Sequence, residues 1–545
     1  MLIKSKILLI IICVFCQFNA SATDYYVHPE LGNDLNNGLT KALALKTLSS
    51  ISKIKLQQGD RILLASNQLY TDGIILIGQT GIKGNPIIIT TVNWNASESK
   101  IIPATIDFKG SPNGVLIQDC NFIEVSNLNL TANGFFTEDN QKMRCGVLIK
   151  NSNSTSMQHI NIKNLRINNV FYENYGYNRG IAEVKTANGT QKYGWGIRVI
   201  NKQESLINNI KILNCSISNV SHTGIKLTGN SKNIIDVTIT NNIVEKTGGP
   251  GIQMSGVENV YVSNNIVSHS GSNDDSRKWG RGSGLWTWGA SNVLIEKNKF
   301  LYANGPGDSA GAHIDYNCDN VVVQYNISAY NAGGFCEILG NNYNCSYRYN
   351  ISVNDGHRVK GFDGAFQEGK ILWLSGYQGT KKKRKGPVNS YIYNNTIYSD
   401  ATVVSKIAID NTSNGILIAN NIFYLKGDTK AVLGDQYRPD RASEDLAKNV
   451  LFKNNLFLNK DSWTKDIKIN DIAPIFGDPK FVNKGGINAI DYIPQNLELV
   501  KHKGIDITLL PKDSIGLLQS IKLKKDILGN SIIGKPSLGA IEPMR

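Results

Sequence analysis

The chain has 545 residues, 58 Lys and Arg against 44 Asp and Glu, a formal net charge of +14, 41% apolar and 19% charged residues, and 51 Gly to 14 Pro. That balance excludes a disordered or a collagen-like chain, and beyond the first two dozen residues no run approaches the ~20 apolar residues of a membrane-spanning helix. The 64 asparagines sit mostly in recurring short phrases, which points to a long repetitive β protein that grows by adding coils instead of separate cores.

At the N-terminus Lys4 and Lys6 precede the apolar run Ile7–Phe15, and Ala20-Ser21-Ala22 offers a small-residue cleavage site. Residues 1–22 therefore read as a signal peptide, and the remainder as a chain exported to the periplasm or the medium. From Thr23 onward one β domain is expected: an N-terminal cap over 23–80, coils over about 85–460, and C-terminal coils or an exit segment over about 461–545. Cys120, Cys145, Cys215, Cys318, Cys336 and Cys345 follow the leader. None has C-x-x-C spacing, so no metal site is read, and a chain this long does not need disulfides. Buried free thiols are expected.

The phrase Asn-Asn-Ile, or a close variant after a β-branched run, recurs through the middle of the chain. Its second residues are Asn242, Asn265, Asn298, Asn326, Asn350, Asn395, Asn421 and Asn455, at spacings of 23, 33, 28, 24, 45, 26 and 34. The short intervals suit one coil of three short strands, and the long ones a coil with an inserted loop. The fold class is therefore all-β, a single-stranded right-handed parallel β-helix with an N-terminal cap and inserted loops. Stacked coils set equivalent residues about one strand spacing apart, so the amides can form an internal hydrogen-bonded ladder. Asn326-Ile327-Ser328 and Asn350-Ile351-Ser352 match glycosylation sequons, but ladder amides could not carry a glycan.

Between residues 224 and 340 each coil carries a Gly-led strand: Gly224–Thr228, Gly251–Ser255, Gly284–Trp288, Gly311–Asp315 and Gly333–Glu337. Alternation of faces directs one column outward as Lys226, Gln253, Trp286, His313 and Phe335, and a second as Thr228, Ser255, Trp288, Asp315 and Glu337. Tryptophans beside two stacked carboxylates suit sugar binding better than a solubilising surface. In this register Asp315 and Glu337 lie on adjacent strands, their carboxyl groups roughly 5 Å apart. A gap of about 5–5.5 Å fits a retaining glycoside hydrolysis by two carboxylates, and like charges so close raise one pKa and supply an acid. His313 shares the outward face and could bind a sugar hydroxyl or tune the acids. Asp308, beside Gly307, reads as a turn former.

Two insertions flank that pair. Residues 272–283 carry Arg277, Trp279 and Arg281, and residues 356–387 carry His357, Arg358, Lys360, Glu368, Trp373 and Tyr377. Aromatic and basic loops on a rigid scaffold are commonly binding loops. The candidate substrate-binding set is thus His313, Trp286, Trp288, Lys226, Gln253, Arg281, Trp279 and Trp373. The positive charge suits an anionic glycan partner, while much of it lies in Lys381–Lys385 and the C-terminal lysines, as solvated loops also do. No nucleic-acid motif is present.

Asp315 at a strand end, followed one coil later by Glu337 after Val-Val-Val-Gln-Tyr-Asn, resembles the arrangement in glycoside hydrolase family 120, the retaining β-xylosidases. The resemblance implies Asp315 as nucleophile and Glu337 as acid/base, with no cofactor. His313 stands where that family usually carries Trp. Two other readings stay open. One is a polysaccharide lyase acting on uronates, in which Lys226 and Arg281 could be recruited and the acids could hold Ca²⁺. The other is a non-catalytic glycan-binding β-helix.

Overall fold

The computed structural model describes residues 22–95, 100–134, 143–171, 193–271, 281–379, 381–432, 447, 449–467 and 469–544. The expected signal peptide, except Ala22, and Arg277 and Trp279 lie outside the described residues.

Within these, three parallel sheets of 14, 12 and 14 strands stack rung upon rung from Asp24–Val27 to Ile475–Phe476. Each coil contributes one strand to each sheet in turn, as in Ile225–Thr228, Ile234–Thr240 and Ile243–Thr247. The result is a parallel β-helix wound in the right-handed sense that β crossovers favour. Alternating residues fill its interior in columns, such as Ile197, Ile225, Ile252, Leu285 and Ala312 down one sheet and Ile212, Ile239, Val262, Ile295 and Val323 down another. All belong to one continuous core. The six cysteines are buried and free, as expected.

The Asn phrases divide their labour by position. The first residue of each, Asn241, Asn264, Lys297, Tyr325, Tyr349, Asn394, Asn420 and Asn454, turns the corner in the left-handed region at φ 52–60°, a conformation that Asn tolerates better than most side chains. The second residue points inward. Asn326 N and Nδ2 both donate to Asn350 Oδ1 at 2.9 and 3.0 Å. Asn350 repeats this toward Asn395 at 3.1 and 3.0 Å, and so on from Asn242 to Asn455. Asp471 ends the row, accepting from Asn455 Nδ2 at 2.6 Å, while Cys215 N donates to Asn242 Oδ1 at its other end. Removing one rung takes the acceptor away from buried donors on the rung before it. Asn350→Ala should lower unfolding stability by about 2–4 kcal/mol, read from the denaturant midpoint. A loss below about 0.5 kcal/mol, the size of a surface change, would show that the ladder contributes little.

Residues 477–544 do not continue the coils. They run back over the outer faces of the two 14-stranded sheets. There Asn394 Nδ2 donates to Ser537 O at 2.8 Å, Tyr330 Oη to Gly485 O at 2.7 Å and Asn344 Nδ2 to Asp513 Oδ1 at 2.9 Å. Leu538, Ala540 and Ile541 join Ile351, Ile422 and Tyr424 in a second apolar cluster. This arrangement assigns the outer face of the 12-stranded sheet to the candidate site. Among the described residues, no helix is long and apolar enough to cross a membrane.

Candidate active site

The 12-stranded sheet carries Leu285–Trp288, Ala312–Ile314, Gly334–Ile338 and Lys370–Leu374 as neighbouring strands. Trp286 faces His313, as the sequence pattern implies. One coil later the register departs from it. Ile314 pairs with Ile338 and Ala310 bridges to Gly334, so Glu337, not Phe335, stands opposite His313, and Trp373 stands beyond it. The Gly-led pattern sets Gly333 opposite Gly311, whereas Gly334 stands opposite Ala310, so the strand is shifted by two residues. Such a shift keeps Glu337 on the outer face but changes its partner. Phe335 and Cys336 both turn into the core. Asp315 and Glu337 are therefore diagonal neighbours, a relation that separates Cα atoms by roughly 7–8 Å instead of one strand spacing.

The diagonal is filled from an unexpected direction. Asp308, read from the sequence as a turn former, lies 2% exposed in the segment leading into Ala312–Ile314. Asp308 and Ser309 both occupy the left-handed region, at φ 45° and 64°, a strain of the kind that collects at functional sites. Its surroundings hold it there. Asp308 N donates to Gln367 Oε1 at 2.7 Å, Arg358 Nη1 to Asp308 O at 2.9 Å, and Ser309 Oγ to Gly307 O at 2.8 Å. Phe366 packs so closely on Gly307 that a Cβ there would lie 2.1 Å from its ring. The 356–387 insertion thus reaches the site through Arg358, Phe366 and Gln367, which buttress Asp308. Trp373, the aromatic singled out in that insertion, is 2% exposed beneath Lys370 Nζ, 3.8 Å from its ring, with no face open to a sugar.

Three carboxyl groups share the cluster, and their surroundings push them apart. Burial opposes the Asp308 charge, but Arg281, with Nη1 3.4 Å from Oδ2, and Arg358 and Gln367 hold its pKa below the usual carboxylate value. Burial and then the Asp308 charge push Asp315 up to about 7, against the pull of Arg281 and the Trp286 indole N–H, which donates to Asp315 Oδ2 at 2.8 Å. Burial and Asp308 also raise Glu337 well above the usual carboxylate value. Burial pushes His313 down to about 4, so its imidazole is neutral. It stacks on Trp286 at 5.8 Å and 7°, with Nδ1 3.5 Å from Glu337 Oε2. Asp308 Oδ2, both His313 nitrogens, both Glu337 oxygens and Gln367 Nε2 are buried without a hydrogen-bond partner. Orphans so concentrated mark a place shaped for a polar ligand.

The other expected binding residues divide. Trp286 is 5% exposed and serves Asp315 instead of presenting a stacking face. Trp288 is 44% exposed and tilts against Tyr316 at 5.1 Å, beside Asp315. Arg281 lies 5.9 Å over the Trp286 ring as well as beside Asp308. Lys226 and Gln253 continue the His313 column away from the acids. Among the described residues, no group of three or more His, Cys, Asp or Glu side chains is arranged to hold a metal ion.

Comparison with known proteins agrees with this architecture. Residues 195–357 match a family model described as the right handed beta helix region. The lacto-N-biosidase of Bifidobacterium longum subsp. longum is 25% identical over a stretch that covers 96% of this chain and 36% of that protein; the chain spans about a third of its relative's length. A solved GH136 lacto-N-biosidase from Eubacterium ramulus superposes with a TM-score of 0.50 at 18% identity, covering 76% of this chain and 68% of that one. XylC in complex with xylose superposes at 0.52 and 10% identity, covering 96% and 99%. These structural likenesses establish the fold.

Proposed function

We propose that this chain is an exported glycoside hydrolase acting on an oligosaccharide or polysaccharide, with Asp308 as the ionised carboxylate and Asp315 as the acid. The observation that carries the reading is the split between two neighbouring carboxyls, one held ionised by Arg281 and one raised to about 7. Carboxyls driven apart in this way identify the base or nucleophile and the acid. The similarity along nearly the whole chain to a lacto-N-biosidase supports the same class. Asp308 Oδ2 lies beside Arg281 Nη1 and makes no hydrogen bond, as suits a carboxylate kept ionised at a reacting centre, and the retaining course is kept from the sequence reading. Glu337, fully buried opposite His313, becomes a protonated positioning group in place of the acid/base.

The test is a panel of oligosaccharides, including β-xylosides and lacto-N-biose-terminated glycans, followed by reducing-end release and by ultraviolet absorbance of unsaturated products. New reducing ends without unsaturation are expected. Unsaturated uronate ends would instead establish the lyase.

A pH profile isolates the acid. Asp315 works only when protonated, so kcat/KM should hold below about 7 and fall about tenfold per unit above it. The Trp286 N–H lowers the Asp315 pKa, so Trp286→Phe should move the falling limb to higher pH. An unmoved limb would mean that another group is the acid.

A further inference from the structure

Three strands upstream of the acids, the outer column of the same sheet runs Arg198, Lys226, Gln253, Trp286. Arg198 and Lys226 are adjacent cations, both half-buried. The Arg198 guanidinium lies 4.3 Å over the Trp195 ring, which fixes its plane. Around them Cys145, Leu148, Trp195, Ile200 and Trp286 form an apolar floor. Among the described residues, the neighbouring outward positions are Leu148, Ile200, Thr228, Gln253 and Ser255, none of them acidic. Burial and the Arg198 charge push the Lys226 ammonium down to about 7, as burial beside a like charge does. Gln253, 9% exposed, has a buried Oε1 without a hydrogen-bond partner, as has Thr228 Oγ1. Two cations that no carboxylate faces among the described residues, and two polar groups without a hydrogen-bond partner, stand here on an apolar floor.

We propose that Arg198, Lys226 and Gln253 form a subsite for an acidic sugar, one bearing a carboxylate or a sulfate ester. Lys226 is three strand spacings from His313, roughly 14 Å, within reach of a short oligosaccharide laid along the sheet. Arg198, whose Nη1 already meets Met143 Sδ at 2.8 Å, supplies charge and its remaining donors to a carboxylate or sulfate, Lys226 adds a point charge, and the Gln253 side-chain amide meets a ring hydroxyl. The glycan context rests on the hydrolase reading; the anion preference does not.

The intact chain should be tested for binding to an array of uronate-containing and sulfated oligosaccharides, each beside its carboxyl-reduced or desulfated counterpart. Expected is a preference of roughly tenfold or more for acidic members, weakened by salt and reduced in both Lys226→Met and Arg198→Gln. The carboxyl-reduced and desulfated pairs tell which anion is taken. Equal binding of acidic and neutral members, no binding at all, or a preference untouched by both substitutions would overturn the subsite. Binding of acidic glycans without hydrolysis would leave the subsite standing and end the hydrolase reading. Hydrolysis of neutral glycans without anion preference would do the reverse.

Discussion

Asp308→Asn should reduce turnover by roughly 10⁴-fold or more, the scale of losing a covalent nucleophile, while leaving the melting transition nearly in place. Asparagine preserves the shape of the side chain and leaves untouched the backbone bonds to Gln367 and Arg358 that fix the turn. Only the charge is lost, and with it the ability to attack an anomeric carbon or stabilise its developing positive charge. In the retaining course, NMR of the first product formed by the unaltered chain should show the substrate's own anomeric configuration. An inverted first product would assign Asp308 to activating water instead. Glu337→Gln provides the decisive contrast, because it should lose less than Asp308→Asn. If Glu337→Gln abolishes turnover and Asp308→Asn does not, the pair inferred from the strand pattern, Asp315 and Glu337, is the working one.

The second large effect is expected from Asp315→Asn and depends on the substrate. Glycosides with poor leaving groups need a proton delivered to the departing oxygen, and removing the acid should slow them by about 10²–10⁴-fold. Aryl glycosides with acidic phenols should form the glycosyl enzyme at nearly the original rate and then stall. No base remains to activate water, but azide needs none. Added azide should therefore restore release and leave a glycosyl azide of retained configuration. Uniform loss on all leaving groups, with no response to azide, would remove Asp315 from proton transfer.

The β-helix was legible because its determinants are local and repeated. The first residue of each phrase answers a left-handed corner and the second, an Asn, an inward amide ladder, and eight coils repeat both demands. The outward face of Trp286, His313, Asp315 and Glu337 followed from alternation alone. Which strand residue met which neighbour did not, because the Gly-led repeat sets Gly333 opposite Gly311, whereas Gly334 meets Ala310 and both Phe335 and Cys336 pack in the core. Asp308 was discounted because an Asp beside Gly ordinarily makes a turn. What distinguishes it comes from remote parts of the chain, Arg281, Arg358 and Gln367, and no local pattern announces them. Its one sequence signal was position: a third acid seven residues before Asp315, leading into the same strand. Trp286 reads as a sugar platform for the converse reason, since periodicity gives the face of a side chain but not what is packed over it, and Trp373, expected in a binding loop, is a buried strand residue.

The asparagine ladder also has a direction. Every rung sends its backbone N–H and one side-chain N–H to the next rung's oxygen, and takes the preceding rung's donors on its own oxygen, so the row has a donating tail and an accepting head. Interior rungs are interchangeable, because each offers the same pair of surfaces to the coils on either side. As far as the ladder itself goes, a coil can thus be duplicated or deleted without stranding a ladder amide, as nearest-neighbour stacking implies. The tail is different. There the last donors meet the Asp471 carboxylate, which gives the row a terminus no further coil can extend without displacing it. The length of this protein is adjustable from within and closed at that end, and the same carboxylate denies a second molecule the exposed donors on which end-to-end growth into a filament would begin.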